Sequence, residues 1–403
     1  MKISKVGMVA AGVALIELCT ALTLAPLTNR TRVQPTDFVN FYVGASIVRN
    51  GGGAKLYQRE TQDATYQSIL HRKSNQYFLH PAFEAAGLAP LTLLSLERAF
   101  VSWTLINVAL LGSLPLFLIH CIPLVEAKPY VGMLGFCLLP SLTALTLGQD
   151  SILLLFLICG SYLLLCKKVD GGAGLVLSLA TIKFQYVVIL LPLLLLWRRW
   201  RLGAAFALGC GCLAALSCAI TGWHGLADYF NFLHTFEVHS GYGGLDPALM
   251  ANARGFLKGI GWADNFSLYA LIELMLLGLG VAGWWICRTR DDGLMFALFL
   301  SIALAAAPYA HFPDLSVLFL PILLVLDHLR TMGIRTASRK FLLLCCAAMV
   351  LWPFLLLLLG GHYWWNSRIY LVFPILTLFI FALFSELYSN RLGKLGDVER
   401  ALF

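Results

Sequence analysis

Charge is what this sequence of 403 residues has least of. Aspartate, glutamate, lysine and arginine make up 12% of it, against 59% hydrophobic residues, whereas a soluble domain carries about 25% charged residues. That balance excludes a soluble enzyme held by a single anchor and predicts a polytopic membrane protein. The formal net charge of +8 does not point to nucleic acid. The basic residues gather on no soluble face; they sit in short connectors between apolar runs, as topology signals do. No nucleic-acid partner is expected.

Other absences narrow the field. None of the eleven cysteines lies in the two long polar loops; all fall in or beside apolar runs, as small buried hydrophobes do. Cys210-x-Cys212 and Cys345-Cys346 lack the spacing and partners of a zinc site. No G-x-x-x-x-G-K-[ST] or strand-linked G-x-G-x-x-G is present, and Gly51-Gly52-Gly53 reads as a helix-ending turn. The polar carboxylates and histidines are scattered, so no metal and no cofactor is expected. No internal repeat is visible, which argues against a carrier built from two matching halves.

What is there is a succession of apolar runs. The sequence predicts an all-α polytopic membrane bundle of about 11–12 transmembrane or half-spanning helices. They fall at 6–27, 99–120, 130–147, 151–166, 172–183, 186–198, 202–221, 266–287, 293–309, 313–329, 341–359 and 368–388. The first is too long for a signal-peptide core and reads as a retained span. The pair 172–183 and 186–198 is short and separated by Lys183-Phe184-Gln185, so it reads as two broken helices meeting partway down. Backbone breaks at that depth are tolerated only against protein or a water-filled cavity. One integral membrane domain over 1–388 is expected, with loops at 29–98 and 222–265 and a tail at 389–403.

Alternating the spans from a cytoplasmic N-terminus puts Arg198-Arg199-Trp200-Arg201 and the basic residues of 330–340 inside. The tail is then cytoplasmic too. Both long loops, Gly148-Gln149-Asp150, Lys183 and His311 to Asp314 then lie outside, with seven of the nine histidines. Polar chemistry on one face favours an enzyme whose site opens extracytoplasmically at the cell membrane. A site there has no access to cytoplasmic nucleotides, so a transferase would need an activated donor already in the membrane.

Asp37 begins the reading of that chemistry. It lies in Pro35-Thr36-Asp37-Phe38 at the membrane–water boundary, where partial desolvation raises a carboxylate pKa and suits a general base. A cap on the following helix is the alternative. Gln149 binds a sugar hydroxyl, or its loop is merely a turn with Asp150 on the next helix dipole. Lys183 among apolar neighbours binds a lipid phosphate or snorkels. His311 and Asp314, three apart at a helix start, either contact substrate or cap. Arg254 is a bidentate phosphate clamp or part of an interfacial helix. Tyr42, with Phe38, Tyr77 and Trp223, flanks a sugar or prenyl chain or belongs to the interfacial aromatic belt.

Taken in order, several segments carry a resemblance. They are Asp37-Phe38-Val39-Asn40-Phe41-Tyr42, His80-Pro81-Ala82-Phe83, Gly148-Gln149-Asp150-Ser151, Lys183-Phe184-Gln185, Asn252-Ala253-Arg254-Gly255 and Pro308 to Asp314. Together the chain resembles glycosyltransferase family 87, polyprenol-phosphate-mannose-dependent α-mannosyltransferases of the GT-C fold. His80-Pro81 stands where Tyr-Pro is more usual, and Pro313 where an aromatic is expected. The resemblance implies Asp37 as the catalytic carboxylate, with a contribution from His311. Lys183, Arg254, Gln149, Gln185, Asp314 and Tyr42 are the expected donor-binding residues. The implied partners are a polyprenyl-phosphate sugar donor, a lipid or glycan acceptor, and membrane lipids. A transporter or flippase for a lipid-linked glycan is the alternative, and a non-catalytic scaffold a further one.

Overall fold

The computed structural model describes residues 33–71, 76–238, 247–262, 266–287, 292–360 and 368–402. The expected span 6–27, the N-terminal lysines, residues 239–246 of the second loop and His362 to Trp365 lie outside the described residues.

The described chain is helical throughout, as expected, with no strand beyond an isolated antiparallel bridge between Met250 and His311. Seven of its helical stretches are long and apolar enough to cross a membrane, and Pro129–Cys137 with Leu139–Leu147 makes a further pair bent by 62°. Helices are named here in chain order: α1 Phe38–Arg49, α2 Arg59–Leu70, α3 Ala82–Leu88, α4 Leu96–Leu118, α5 Leu139–Leu147, α6 Ser151–Cys166, α7 Asp170–Leu179, α8 Phe184–Leu195, α9 Trp200–Thr221 and α10 Gly225–Val238. They continue with α11 Ala253–Gly259, α12 Phe266–Cys287, α13 Asp292–Ala306, α14 Phe319–Met332, α15 Ala337–Gly360 and α16 Val372–Leu402.

Two apolar cores organise these elements. The larger runs from Leu111 through α13 to α16. The smaller gathers the first polar loop, Val33 to Leu96, with the start of α4 and with Tyr229 and Phe232 of α10. The loop therefore folds as a helical cap rather than an open tether. Burial of Phe38, Phe41, Tyr66, Phe78 and Phe100, each 0–2% exposed, supplies about 1.5–3 kcal/mol per side chain. Local signals set the helix ends. Ser95 caps α4 through a 3.4 Å bond from the Arg98 N–H, and Glu97 occupies the favourable first turn.

The break expected near Lys183 is present, as a 3-10 turn over Ala180–Lys183. By length and composition 170–195 passes as one span, but it folds back. A straight helix of that length would separate its ends by about 38 Å. Arg199, four residues beyond α8 and able to reach about 14 Å from it, instead meets Asp170 at 2.8 Å. The packing agrees. Gly174 of α7 lies against the Leu202 carbonyl and Gly209 against Ser178, so α7 and α9 run in the same direction and α8 must return between them. α7 with its turn rises about 23 Å, short of the ~30 Å hydrocarbon core. Lys183 thus sits at the tip of a re-entrant hairpin.

Candidate active site

Three chain turns meet at that tip. The first joins α5 to α6 through Gly148, whose φ is +66°. A Cβ there would lie 2.7 Å from Cβ of Phe38 and 2.8 Å from Cε2 of Phe100, so both conformation and space require glycine. Trp103 donates to the Gly148 carbonyl at 2.9 Å and fixes the turn against α4. The second is the hairpin tip. The third is the approach to α14, where a 3-10 turn over Phe312–Leu318 begins at His311.

Lys183, at 5% exposure, ties the three together. Its Nζ lies 2.8 Å from Oδ1 of Asp150 and 2.5 Å from Oδ1 of Asp314. It donates to Ser151 Oγ at 3.2 Å and Gln149 Oε1 at 3.3 Å. Asp314 also accepts from Ser151 at 2.6 Å, from Tyr186 at 2.7 Å and from the His311 backbone N–H at 3.2 Å. A buried ammonium is tolerated only with such pairing, and removing one partner strands the other charge.

Gln149 passes this network to Asp37. With its carbonyl held by Lys183, its Nε2 donates to Oδ2 of Asp37 at 2.7 Å, across 112 residues of sequence. Asp37 occupies the position before α1, but its side chain accepts no helix N–H; capping is not what it does here. Burial raises its pKa above the ordinary carboxylate value, while the Gln149 hydrogen bond and the charges of His311 and Lys183 hold the rise in check.

These groups border a cavity of about 460 Å³, within the range of small-molecule sites. Asp37, Gln149, Lys183, Gln185 and His311 line it, with Tyr77 and Tyr309 among the aromatic residues. Gln185 donates to the Tyr309 carbonyl at 3.4 Å.

Three sequence candidates stand elsewhere. Asp314 is fully buried beneath Lys183 and is absent from the lining. Tyr42 turns away and donates to the Leu94 carbonyl at 2.8 Å. Arg254 lies outside the lining, its guanidinium 5.4 Å from the Tyr309 ring centre. The cap formed by Asn252, which accepts from Gly255 at 2.9 Å and donates to Ala307 at 2.6 Å, sets that placement. Trp223 is 84% exposed. Nothing in the local sequence signals which way a loop aromatic or arginine turns.

Sequence reasoning missed His80 and Glu84. The His80 ring lines the cavity and lies 4.8 Å from the Phe41 ring. Glu84 sits below it at 6% exposure. Their i, i+4 spacing was the available signal. Burial, then the neighbouring Asp150, push Glu84 up to about 7, against the lowering effect of His80. Burial disfavours the His80 cation, but Glu84 and Asp150 outweigh it and raise its pKa above the ordinary imidazole value.

A many-helix membrane protein with a polar, carboxylate-bearing cavity lined from several distant segments is the class that fold and site define. The sequence profile described as "Glycosyltransferase family 87" matches residues 78–321, more than half of the chain. The chain belongs to that family and is a membrane glycosyltransferase. No curated protein and no solved structure was found to match it.

Proposed function

We propose that the chain transfers a hexose, specifically mannose, from a polyprenyl phosphate to a lipid or glycan acceptor, with inversion, in a GT-C-type bundle. The carrying observation is the Asp37 carboxylate, free of its helix and oriented by Gln149 on the wall of the cavity. The acceptor hydroxyl gives its proton to Asp37 as its oxygen bonds to the anomeric carbon. The anomeric C–O bond breaks, and the polyprenyl phosphate leaves with the electron pair. A phosphate leaving group needs little protonation at neutral pH, so one carboxylate base suffices, where a glycosidase uses an acid as well.

The roles divide by placement. His311 and Gln185 line the cavity and contact the donor. Lys183 is neutralised by Asp150 and Asp314 and acts as a positioning residue, holding Gln149 and through it Asp37. Asp314 fixes Lys183. Tyr42 and Arg254 support the first loop and Tyr309 from outside.

The same reading places the cavity extracytoplasmically. α6 begins at the cavity and ends at Lys167-Lys168; the hairpin tip is in the cavity and its feet carry Arg198 and Arg199; α14 begins beyond His311 and ends near Arg330. Every one of these basic clusters marks the far end, which the positive-inside tendency makes cytoplasmic. A transporter would use the cavity but would have no need of Asp37 as a base. Purified protein given polyprenyl-phosphate mannose and lipid acceptors tests this: formation of a glycosidic bond is expected, and passage of a glycan across vesicles without new bonds would refute it.

A further inference from the structure

The cavity floor holds a second titratable group that the reaction above does not use. His80 Nδ1 lies 2.9 Å from Oε2 of Glu84 and 3.6 Å from Oδ2 of Asp150. One potential ligand atom from each of the three lies within 4.8 Å of the others. Glu84 is 6% exposed and Asp150 fully buried. The other oxygen of Glu84, Oε1, has no hydrogen-bond partner, a costly state for a buried carboxylate. Lys183 occupies Oδ1 of Asp150, so Oδ2 is the atom on the His80 side.

Charge and geometry agree on what fits. Glu84, Asp150 and Asp314 together carry three negative charges in ionised form, and Lys183 returns one. With a neutral imidazole the remainder matches one divalent cation. Ligand atoms about 2.0–2.2 Å from a tetrahedral zinc stand about 3.3 Å apart, and the two measured separations fall on either side of that value.

We propose that His80, Glu84 and Asp150 form a site for a first-row divalent cation of the zinc class, with a fourth position open to the cavity beside His80. One imidazole and two carboxylates suit such an ion better than the all-oxygen shell of magnesium or calcium. Its role rests on the transferase reading: the open position takes an oxygen of the leaving phosphate. Among the described lining residues Lys183 is the only ammonium or guanidinium group, and two carboxylates already neutralise it. The ion supplies positive charge where the phosphate develops its own.

The test is zinc binding by untagged, chelator-stripped full-length protein in detergent, measured by competition with a chromophoric chelator. One equivalent per chain is expected. His80→Ala and Glu84→Gln should weaken it by about tenfold or more, and Asp37→Asn should leave it unchanged. Absence of a stoichiometric site, or equal binding by the wild type and both variants, would overturn the site. X-ray absorption at the zinc edge of the wild-type protein does not depend on how the variants fold. One histidine nitrogen with oxygen neighbours is expected; sulfur neighbours would overturn the assignment. Zinc bound at these residues in a protein that never consumes polyprenyl-phosphate mannose would sink the donor assignment and leave the cation site standing.

Discussion

Lys183→Met is the substitution whose consequences follow most directly from the site. It keeps an unbranched apolar stem and removes the ammonium between Asp150 and Asp314, both fully buried. Breaking a buried ion pair on one side costs about 3–5 kcal/mol, because the surviving charge is left uncompensated. The two carboxylates do not share that cost equally. Asp314 keeps Ser151, Tyr186 and the His311 N–H, whereas Asp150 keeps only His80, at 3.6 Å. Asp314→Asn in the Lys183→Met background removes one stranded charge, so the two changes should couple by about 1–3 kcal/mol. Unfolding in detergent micelles, followed for wild type, both singles and the double, measures each number. The same variant should slow turnover, since the Gln149 carbonyl loses the donor that orients its amide toward Asp37. A loss below about 1 kcal/mol, or strict additivity, would show that Lys183 does not hold the three turns together.

Four further outcomes follow from particular residues. Because burial raises the Asp37 pKa, the group stabilises the fold below its unfolded pKa, and that contribution is lost as pH rises through the folded value; Asp37→Asn should therefore raise the unfolding temperature at neutral pH while abolishing transfer. Gln149→Leu removes the hydrogen bond that lowers that pKa, so the acid limb of the pH–rate profile should move to higher pH; an unmoved limb would separate Asp37 from it. Gly148→Ala should destabilise the fold by about 1–3 kcal/mol, from overpacking against Phe38 and Phe100 and from a left-handed backbone, measured by thermal unfolding. In a chain without native cysteines, Trp223→Cys should react with an impermeant thiol reagent on intact cells and Lys168→Cys should not; the reverse pattern would invert the orientation.

The legible part of the fold was the part that one stretch of chain decides. α6 was expected at 151–166 and is found at Ser151–Cys166, because a polar turn and a lysine pair bound one unbroken apolar run. The hairpin at Lys183 was legible for a related reason: a charge inside an apolar run demands a recess. The 62° bend between Pro129–Cys137 and Leu139–Leu147 was not expected, since the run 130–147 carries no polar interruption and Pro140 is tolerated in a helix's first turn. Within the site, Asp37, Gln149, Lys183 and His311 were named individually, yet nothing local sets the 112-residue pairing of Gln149 with Asp37. The meeting of His80 and Glu84 with Asp150 was hidden for the same reason. Tyr42 and Arg254 failed to reach the cavity because tertiary contacts set where their side chains turn.

The most direct measurement is single-turnover transfer by Asp37→Asn with radiolabelled polyprenyl-phosphate mannose and an excess of lipid acceptor, alongside donor binding by the same protein. Asparagine keeps the shape of the side chain and can still meet the Gln149 amide, but it cannot take a proton. Donor binding close to wild type with transfer reduced by about 10²-fold or more is the expected result. Transfer at the wild-type rate would remove Asp37 from the chemistry and with it the central claim.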